Sequence, residues 1–146
     1  DGNWPGVNQF TGWDNQTFTF TNNYLSAAYS YASVRSTSTM DSHVWFAATK
    51  NSGLKISGFS TSGYTNLKLS YSIAANVKSV DQNVIQVKCD STVMTVPSVS
   101  IPATNLYQTV ELSNVPVNTT SIEFISSATT NTAGYRIDNV KLVGTK

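Results

Sequence analysis

The sequence is poor in charged side chains. Lys, Arg, Asp and Glu together make up 12% of the chain, about half the share that is usual in globular proteins. The 9 basic residues nearly balance the 8 acidic ones, so no strong basic field exists to attract phosphate groups. This balance argues against nucleic acid as a partner and favours a neutral ligand.

Cysteine is nearly absent, since Cys89 is the only one. It ends an alternating run in which it shares one side with Ile85 and Val87, so we predict a small buried core residue rather than a nucleophile. A single cysteine cannot form a disulfide within the chain, and cysteine usage therefore leaves the cellular compartment open.

Long apolar runs are also absent, and none approaches the length of a membrane-spanning helix. The chain begins at Asp1, without Met or a charged-then-apolar signal segment, which suggests a module excised from a longer protein or a processed chain. Its 146 residues suffice for one domain and are few for two. We expect a single domain over residues 1–146.

Short alternating runs of apolar and polar residues dominate the sequence, separated by Gly, Asn, Ser and Pro. In the clearest run, Leu67–Ile73, every odd position is apolar and every even position is polar. We count roughly nine such strands, the number expected of a two-sheet sandwich. The sequence therefore predicts an all-β protein, an antiparallel two-sheet β-sandwich of the jelly-roll type. The other runs are Phe18–Phe20, Val44–Ala48, Leu54–Ile56, Ile85–Cys89, Val93–Val96, Val110–Leu112, Ile122–Ile125 and Ile137–Leu142.

Groups suited to catalysis are scarce. A Ser-His-Asp arrangement would have to combine His43, the only histidine, with Asp41 and an unidentified serine. A two-carboxylate glycosidase would need the only glutamates, Glu111 and Glu123, at a set separation. Solvent-facing strand positions explain these residues more simply. We predict that the chain is not an enzyme, and a small glycan-active enzyme with two facing carboxylates stays an alternative.

Trp45 is the most informative aromatic residue. Within Asp41–Ala48, alternation puts Val44 and Phe46 on the core face and Trp45 on the opposite face with Asp41 and His43. An outward indole beside hydrogen-bonding side chains suits a sugar, because the C–H face of a pyranose stacks on the ring while the hydroxyls find polar partners. The alternative is that Trp45 covers part of the sandwich.

A second alternating segment, residues 28–35, precedes Trp45 in the sequence. If Ala28, Ala32 and Val34 face the core, the opposite face holds aromatic and polar residues, namely Tyr29, Tyr31, Ser33 and Arg35. The reverse arrangement, with both tyrosines packed inside and the small residues outside, stays open because alanine is indifferent to burial.

Several segments resemble a known family. The opening Asn8–Trp13, the middle Leu54–Phe59 and Tyr64–Tyr71, and the closing Gly134–Leu142 resemble jelly-roll carbohydrate-binding modules of families 22 and 4. Such modules are typically appended to bacterial xylanases and glucanases. The order of elements is also similar to that of accessory sandwich domains in large secreted proteins of gut Bacteroidetes.

The resemblance implies a metal and a ligand cleft. Asp138 matches the last-strand aspartate that in these modules helps hold a structural calcium ion, for which oxygen ligands are suitable. Thr11 stands where the family has a first-strand acid, and this departure argues against the ion. The cleft of the family crosses the concave sheet and uses a tryptophan and tyrosines, and Trp45 lies near the matching region.

These observations lead to one functional hypothesis with two alternatives. We expect a non-catalytic module that binds a neutral β-linked polysaccharide, xylan first and β-glucan second, and so targets an attached glycoside hydrolase domain. Trp45 is the predicted platform, Tyr29, Tyr31 and Arg35 the walls, and His43 a hydrogen-bond partner. We expect a monomer that is extracellular or on a bacterial cell surface. The alternatives are a structural or adhesive sandwich of a surface protein and the small enzyme.

Overall fold

A computed structural model describes residues 4–22 and 32–146. In these residues two five-stranded antiparallel sheets face each other. Sheet A has the strand order β2-β3-β10-β5-β8 and sheet B the order β1-β4-β9-β6-β7. The strands are β1 Thr19–Thr21, β2 Ala32–Arg35, β3 His43–Phe46, β4 Ser52–Ser57, β5 Thr65–Ala75, β6 Gln86–Cys89, β7 Thr92–Val93, β8 Gln108–Val115, β9 Ser121–Ser126 and β10 Tyr135–Thr145, and a 3-10 turn spans Gln82–Val84.

This architecture confirms the predicted all-β two-sheet sandwich. Each of the runs predicted from alternation overlaps an observed strand, and β2 is the additional one. Among the described residues, no helix is both long and apolar enough to cross a membrane.

The core lies between the sheets and follows the alternation along each strand. In β5 the odd positions Leu67, Leu69, Tyr71 and Ile73 are buried, while the even positions before Ala74 are exposed or half-buried. The opposite wall comes from sheet B, where the ring of Phe124 meets that of Tyr71 edge to face, with ring centroids 5.0 Å apart. Such aromatic pairs stabilise a core beyond the area that they bury.

Cys89 is part of this core. It is fully buried, as are Ile85 and Val87 on the same side of the chain. Burial, with a smaller contribution from the charge of Asp90, raises the pKa of the thiol to about 11. The thiol is therefore protonated near neutral pH, which confirms the prediction of a buried core residue rather than a nucleophile.

Candidate functional site

The outward face of sheet A brings together polar and aromatic side chains from three neighbouring strands. Trp45 in β3 lies beside Ser33 of β2 on one side and Arg136 of β10 on the other. In the adjoining row His43 pairs with Arg35. We call this region the Trp45 face, comprising Ser33, Arg35, His43, Trp45, Arg136 and Asp138.

Trp45 lies on the side of β3 opposite to the core, as alternation predicts. Its neighbours Val44 and Phe46 are buried in the core, whereas Trp45 is half-buried. The indole lies directly against Gly134, where a Cβ atom would come within 1.8 Å of Trp45 Cη2. Any side chain at position 134 would therefore displace the ring. The orientation of Trp45 is confirmed, and its contact with a sugar stays a prediction.

The strand-end loop of Asn76 holds Gly134 in place. The Asn76 main-chain N–H donates to the Gly134 carbonyl, and the Gly134 N–H donates to Asn76 Oδ1, both at 3.0 Å. This reciprocal pair fixes the backbone beneath Trp45 at the point where β10 begins. The position of the indole therefore depends on the backbone of Gly134, which the main chain and the side chain of Asn76 both hold.

Two guanidinium groups lie over the Trp45 ring. The Cζ atom of Arg35 is 5.0 Å from the ring centroid and that of Arg136 is 4.6 Å away, both within the range of cation–π attraction. Arg35 Nε donates to Ser33 Oγ at 2.9 Å, and Arg136 Nε donates to Asn105 Oδ1 at 3.1 Å. These bonds fix both side chains along the sheet surface.

His43 holds Arg136 and has little exposed surface. Its side chain is buried, with 3% of the residue exposed. Nδ1 lies 2.8 Å from the Asp41 carbonyl oxygen, which can only accept, so Nδ1 carries the proton. Nε2 then accepts from Arg136 Nη1 at 2.7 Å. The imidazole is neutral in this arrangement.

The environment favours this neutral form. Burial lowers the pKa of His43, and the charges of Arg136 and Arg35 act in the same direction, while the bond to the Asp41 carbonyl and the charge of Asp138 oppose them. We predicted that His43 would offer a hydrogen bond to a ligand. The structure instead buries it and gives both ring nitrogens a partner within the protein, so His43 positions Arg136.

Asp138 lies two residues after Arg136 on the same side of β10 and is half-buried. Its Oδ1 accepts from the Asn139 N–H at 2.8 Å. Burial raises the pKa of this carboxyl group, and the charges of Asp41 and Asp14 add to the effect, against the Asn139 bond and the charge of His43. Asp138 is therefore the acidic end of the Trp45 face.

The donor set for calcium is incomplete at Asp138. In residues 4–22 and 32–146, no group of three His, Cys, Asp or Glu side chains is placed to hold a metal ion. The described residues therefore do not group further acidic ligands around Asp138 for the calcium ion that the resemblance implies.

Arg136, Asn105 and Tyr107 are site residues that sequence reasoning did not identify. The Tyr107 hydroxyl is buried and has no hydrogen-bond partner among the described residues. Burial, with the charges of Asp138 and Asp41, raises its pKa to about 12. Alternation within the closing segment, Gly134–Leu142, puts Arg136 on the same face as Asp138 and could have identified Arg136 as a site residue. Asn105 lies in a loop and Tyr107 follows that loop. Such irregular segments have no alternation from which the direction of a side chain could be predicted.

The predicted wall residues have different outcomes. Arg35 lies on the Trp45 face as expected, with its guanidinium over the indole. Tyr29 and Tyr31 lie outside the described residues, and their role as walls stays a prediction.

The geometry does not assemble either catalytic arrangement. Glu111 points outward from sheet A between the buried Val110 and Leu112, and Glu123 points outward from sheet B between the buried Ile122 and Phe124. The two carboxylates therefore lie on opposite outer faces of the sandwich. His43 is bonded to the main-chain carbonyl of Asp41, whereas a catalytic triad would need the carboxylate.

A cavity opens between the sheets at one end, and its lining also includes His43 and Asp138 of the Trp45 face. This cavity of about 920 Å³ is bordered by aromatic residues that include Phe10, Trp13, Phe18, Phe20 and Phe59. Trp13 stacks on Phe20 at a ring-centroid distance of 3.9 Å and meets Phe10 edge to face at 5.1 Å. These rings pack against the main core, so we assign them to the closure of the sandwich end.

No protein-family model and no curated protein matches the sequence. Solved structures share the fold. A mutant of CBM29-2, a family 29 carbohydrate-binding module, is 11% identical over 97% of this chain and 89% of that one, with a TM-score of 0.55. Another CBM29-2 mutant, complexed with mannohexaose, is 11% identical over 97% and 88%, with a TM-score of 0.53.

A weaker likeness is to TmCBM61 in complex with β-1,4-galactotriose, which is 10% identical over 87% of this chain and 88% of that one, with a TM-score of 0.49. At these identities the family 29 likeness shows the fold alone. The jelly-roll module architecture is supported by family 29 structures, whereas we expected families 22 and 4.

Proposed function

We propose that this chain is a non-catalytic carbohydrate-binding module whose ligand lies across the Trp45 face. The observation that carries the proposal is the half-buried indole of Trp45 on an outward sheet surface, bordered by the guanidinium groups of Arg35 and Arg136. An aromatic surface next to fixed hydrogen-bonding groups matches the two kinds of surface that a sugar ring presents. The shared fold of family 29 modules is consistent with this role.

In the described part of the chain, the centre of the opposite outer face offers no comparable surface. There Glu123 of β9 lies between Lys55 of β4 and Lys88 of β6 in register. Charged, flexible side chains of this kind suit contact with solvent, and none of the three is aromatic. This contrast is why we place the ligand on sheet A.

The finer features of the proposal rest on composition and resemblance. We propose a β-linked polysaccharide with a largely neutral backbone, xylan first and β-glucan second. In a longer parent chain the module would hold a glycoside hydrolase domain close to its substrate by raising the effective concentration. We further propose a monomer that acts outside a bacterial cell or on its surface.

The central test is Trp45→Ala, assayed for xylan retardation in a native gel and for its melting curve. Loss of an aromatic anchor should weaken binding by about 1–3 kcal/mol and leave the melting temperature within a few degrees. Tyr64→Ala is the matched control, because Tyr64 is an exposed aromatic residue immediately before the start of β5. The Trp45 face lies at the other end of this strand, where Arg136 pairs with Ala74. The control should bind as the wild type does.

Two outcomes would contradict the platform assignment. Unchanged retardation by a folded Trp45→Ala protein would show that the indole does not contact the polysaccharide. A collapse of stability by about 3–5 kcal/mol, the range for core truncation, would show that Trp45 acts as a packing residue.

Structural calcium at Asp138 also stays a proposal, supported by the resemblance. If an ion is bound, a chelator should lower the melting temperature more than it lowers sugar affinity. No thermal shift, together with no ion in a metal analysis of the purified protein, would remove calcium from the proposal.

A further inference from the structure

Resting on the proposed function, we infer that the Trp45 face recognises a carboxylate on its polysaccharide, a uronic acid substituent on an otherwise neutral chain, and that Arg136 is the residue that binds it. The first observation is the position of the arginine side chains. Arg35 and Arg136 are the only arginines in the sequence, and both guanidinium groups lie over the one indole. The seven other basic residues are lysines.

Arg136 carries a charge that no carboxylate neutralises within the described part of the chain. Its hydrogen bonds go to His43 Nε2 and Asn105 Oδ1, and both acceptors are uncharged. The ion pair identified among the described residues is Lys68 with Glu111, on the exposed β5–β8 edge. A half-buried guanidinium held only by neutral partners has an unmet preference for an anion.

The two bonds of Arg136 leave N–H donors on both terminal nitrogens of the guanidinium for that anion. A guanidinium has five N–H donors in a fixed planar fork. Arg136 uses Nε for Asn105 and one N–H of Nη1 for His43, which leaves the Nη2 group and the second N–H of Nη1. Two parallel N–H groups match the two oxygens of a carboxylate.

The neighbouring cation strengthens this preference. Burial, followed by the charge of Arg136, lowers the pKa of Arg35, and both guanidinium groups lie within 5.0 Å of the same ring centroid. An anion bound at this position would reduce the repulsion between the two cations.

Asp138 limits the kind of anionic ligand. It lies on the same face two residues beyond Arg136, about 7 Å along the strand. A densely charged polyuronate would place a carboxylate near this group and be repelled. A neutral chain with occasional carboxylates can place one at Arg136 and a hydroxyl at Asp138, which agrees with the low charge of the sequence.

The test compares two polymers that differ at the carboxylate. One is a xylan with glucuronic acid substituents, and the other is the same xylan after its carboxyl groups have been reduced to alcohols. Loss of a charge-assisted, bidentate bond should make the wild type bind the reduced polymer about tenfold more weakly. Arg136→Gln should abolish this difference, so that this variant binds the two polymers with equal affinity.

The matched control is Lys55→Gln, which removes one positive charge from the outward face of sheet B. It should keep the full preference for the acidic polymer. Arg136→Lys, which keeps the charge and loses the fork, should retain only part of it. Melting curves for each variant show whether the fold is intact, and Arg136→Lys replaces Arg136→Gln if the latter does not fold.

The outcomes separate this inference from the proposed function. Equal binding of both polymers by the wild type would overturn the inference and leave the module function standing. Equal losses in Arg136→Gln and Lys55→Gln would also overturn it, because the attraction would then be one of overall charge. Tighter binding of polygalacturonate than of the substituted xylan would contradict the role given to Asp138. No binding of any of these polymers would remove both proposals.

Discussion

Trp45 depends on four neighbours that differ in kind. Gly134 leaves room for the Cη2 end of the indole, the guanidinium groups of Arg35 and Arg136 lie within cation–π range of the ring, and His43 positions Arg136 through a neutral nitrogen. Removing any one changes the indole's surroundings without touching the core. The Trp45 face is thus a small layer of side chains built outside sheet A.

The neutral state of His43 makes this layer sensitive to acid. Its pKa in the folded protein is lowered, chiefly by burial, so the unfolded chain takes up the proton first, near pH 6.5. Folding stability should therefore fall as pH drops below about 6.5, until the folded state is also protonated. Protonated Nε2 can no longer accept from Arg136, so polysaccharide affinity should fall in the same direction.

The variant His43→Gln isolates this effect, because a side-chain amide oxygen can accept from Arg136 and does not titrate. We expect its melting temperature to fall less than that of the wild type between pH 7.5 and pH 5. Asp138, whose pKa is raised, is present in both proteins, so the difference between them reports His43 together with its charge interaction with Asp138. Parallel pH profiles for the two proteins would contradict the role of His43.

At the scale of the strands, the period of two in the sequence predicts most of the architecture. It identifies the buried side of β5 and β3 and the outward direction of Trp45, because one apolar face must be covered. It does not give the register between strands distant in sequence. Arg136 lies beside Trp45 because β10 pairs with β3, and this pairing depends on the packing of the whole sandwich.

The same limit explains why alternation did not predict the burial of His43. Alternation states which side of a strand a residue occupies, and it does not state what covers that side. Ala74, on the outward side of β5 opposite Arg136, has no exposed surface and is not part of the core cluster. A second layer of side chains therefore covers the sheet here, and His43 is buried within it.

At the scale of the molecule, the sandwich keeps its two outer faces chemically distinct. The central residues of the sheet B face are lysines and a glutamate in register, whereas sheet A presents the indole and both arginines. The core between them separates the acids on one face from those on the other. This separation bears directly on whether the molecule can do chemistry.

We predict that the purified module releases no new reducing ends from any polysaccharide that it binds. A glycosidase needs two carboxylates on either side of one bond, at most about 9.5 Å apart. Glu111 and Glu123 lie on opposite outer faces. Asp138 shares a face with Glu111, but β5 runs between their strands, which puts the strand axes about 10 Å apart.

Glu111 is moreover engaged, since its Oε1 lies 3.8 Å from Lys68 Nζ. The measurement is a reducing-end assay on xylan and β-glucan over long incubation, with the heat-denatured protein as blank. The expected release equals the blank. Release above it that disappears in Glu111→Gln, Glu123→Gln or Asp138→Asn would show that carboxylates meet at a site on this molecule, and the binding face would then have to be regarded as an active site.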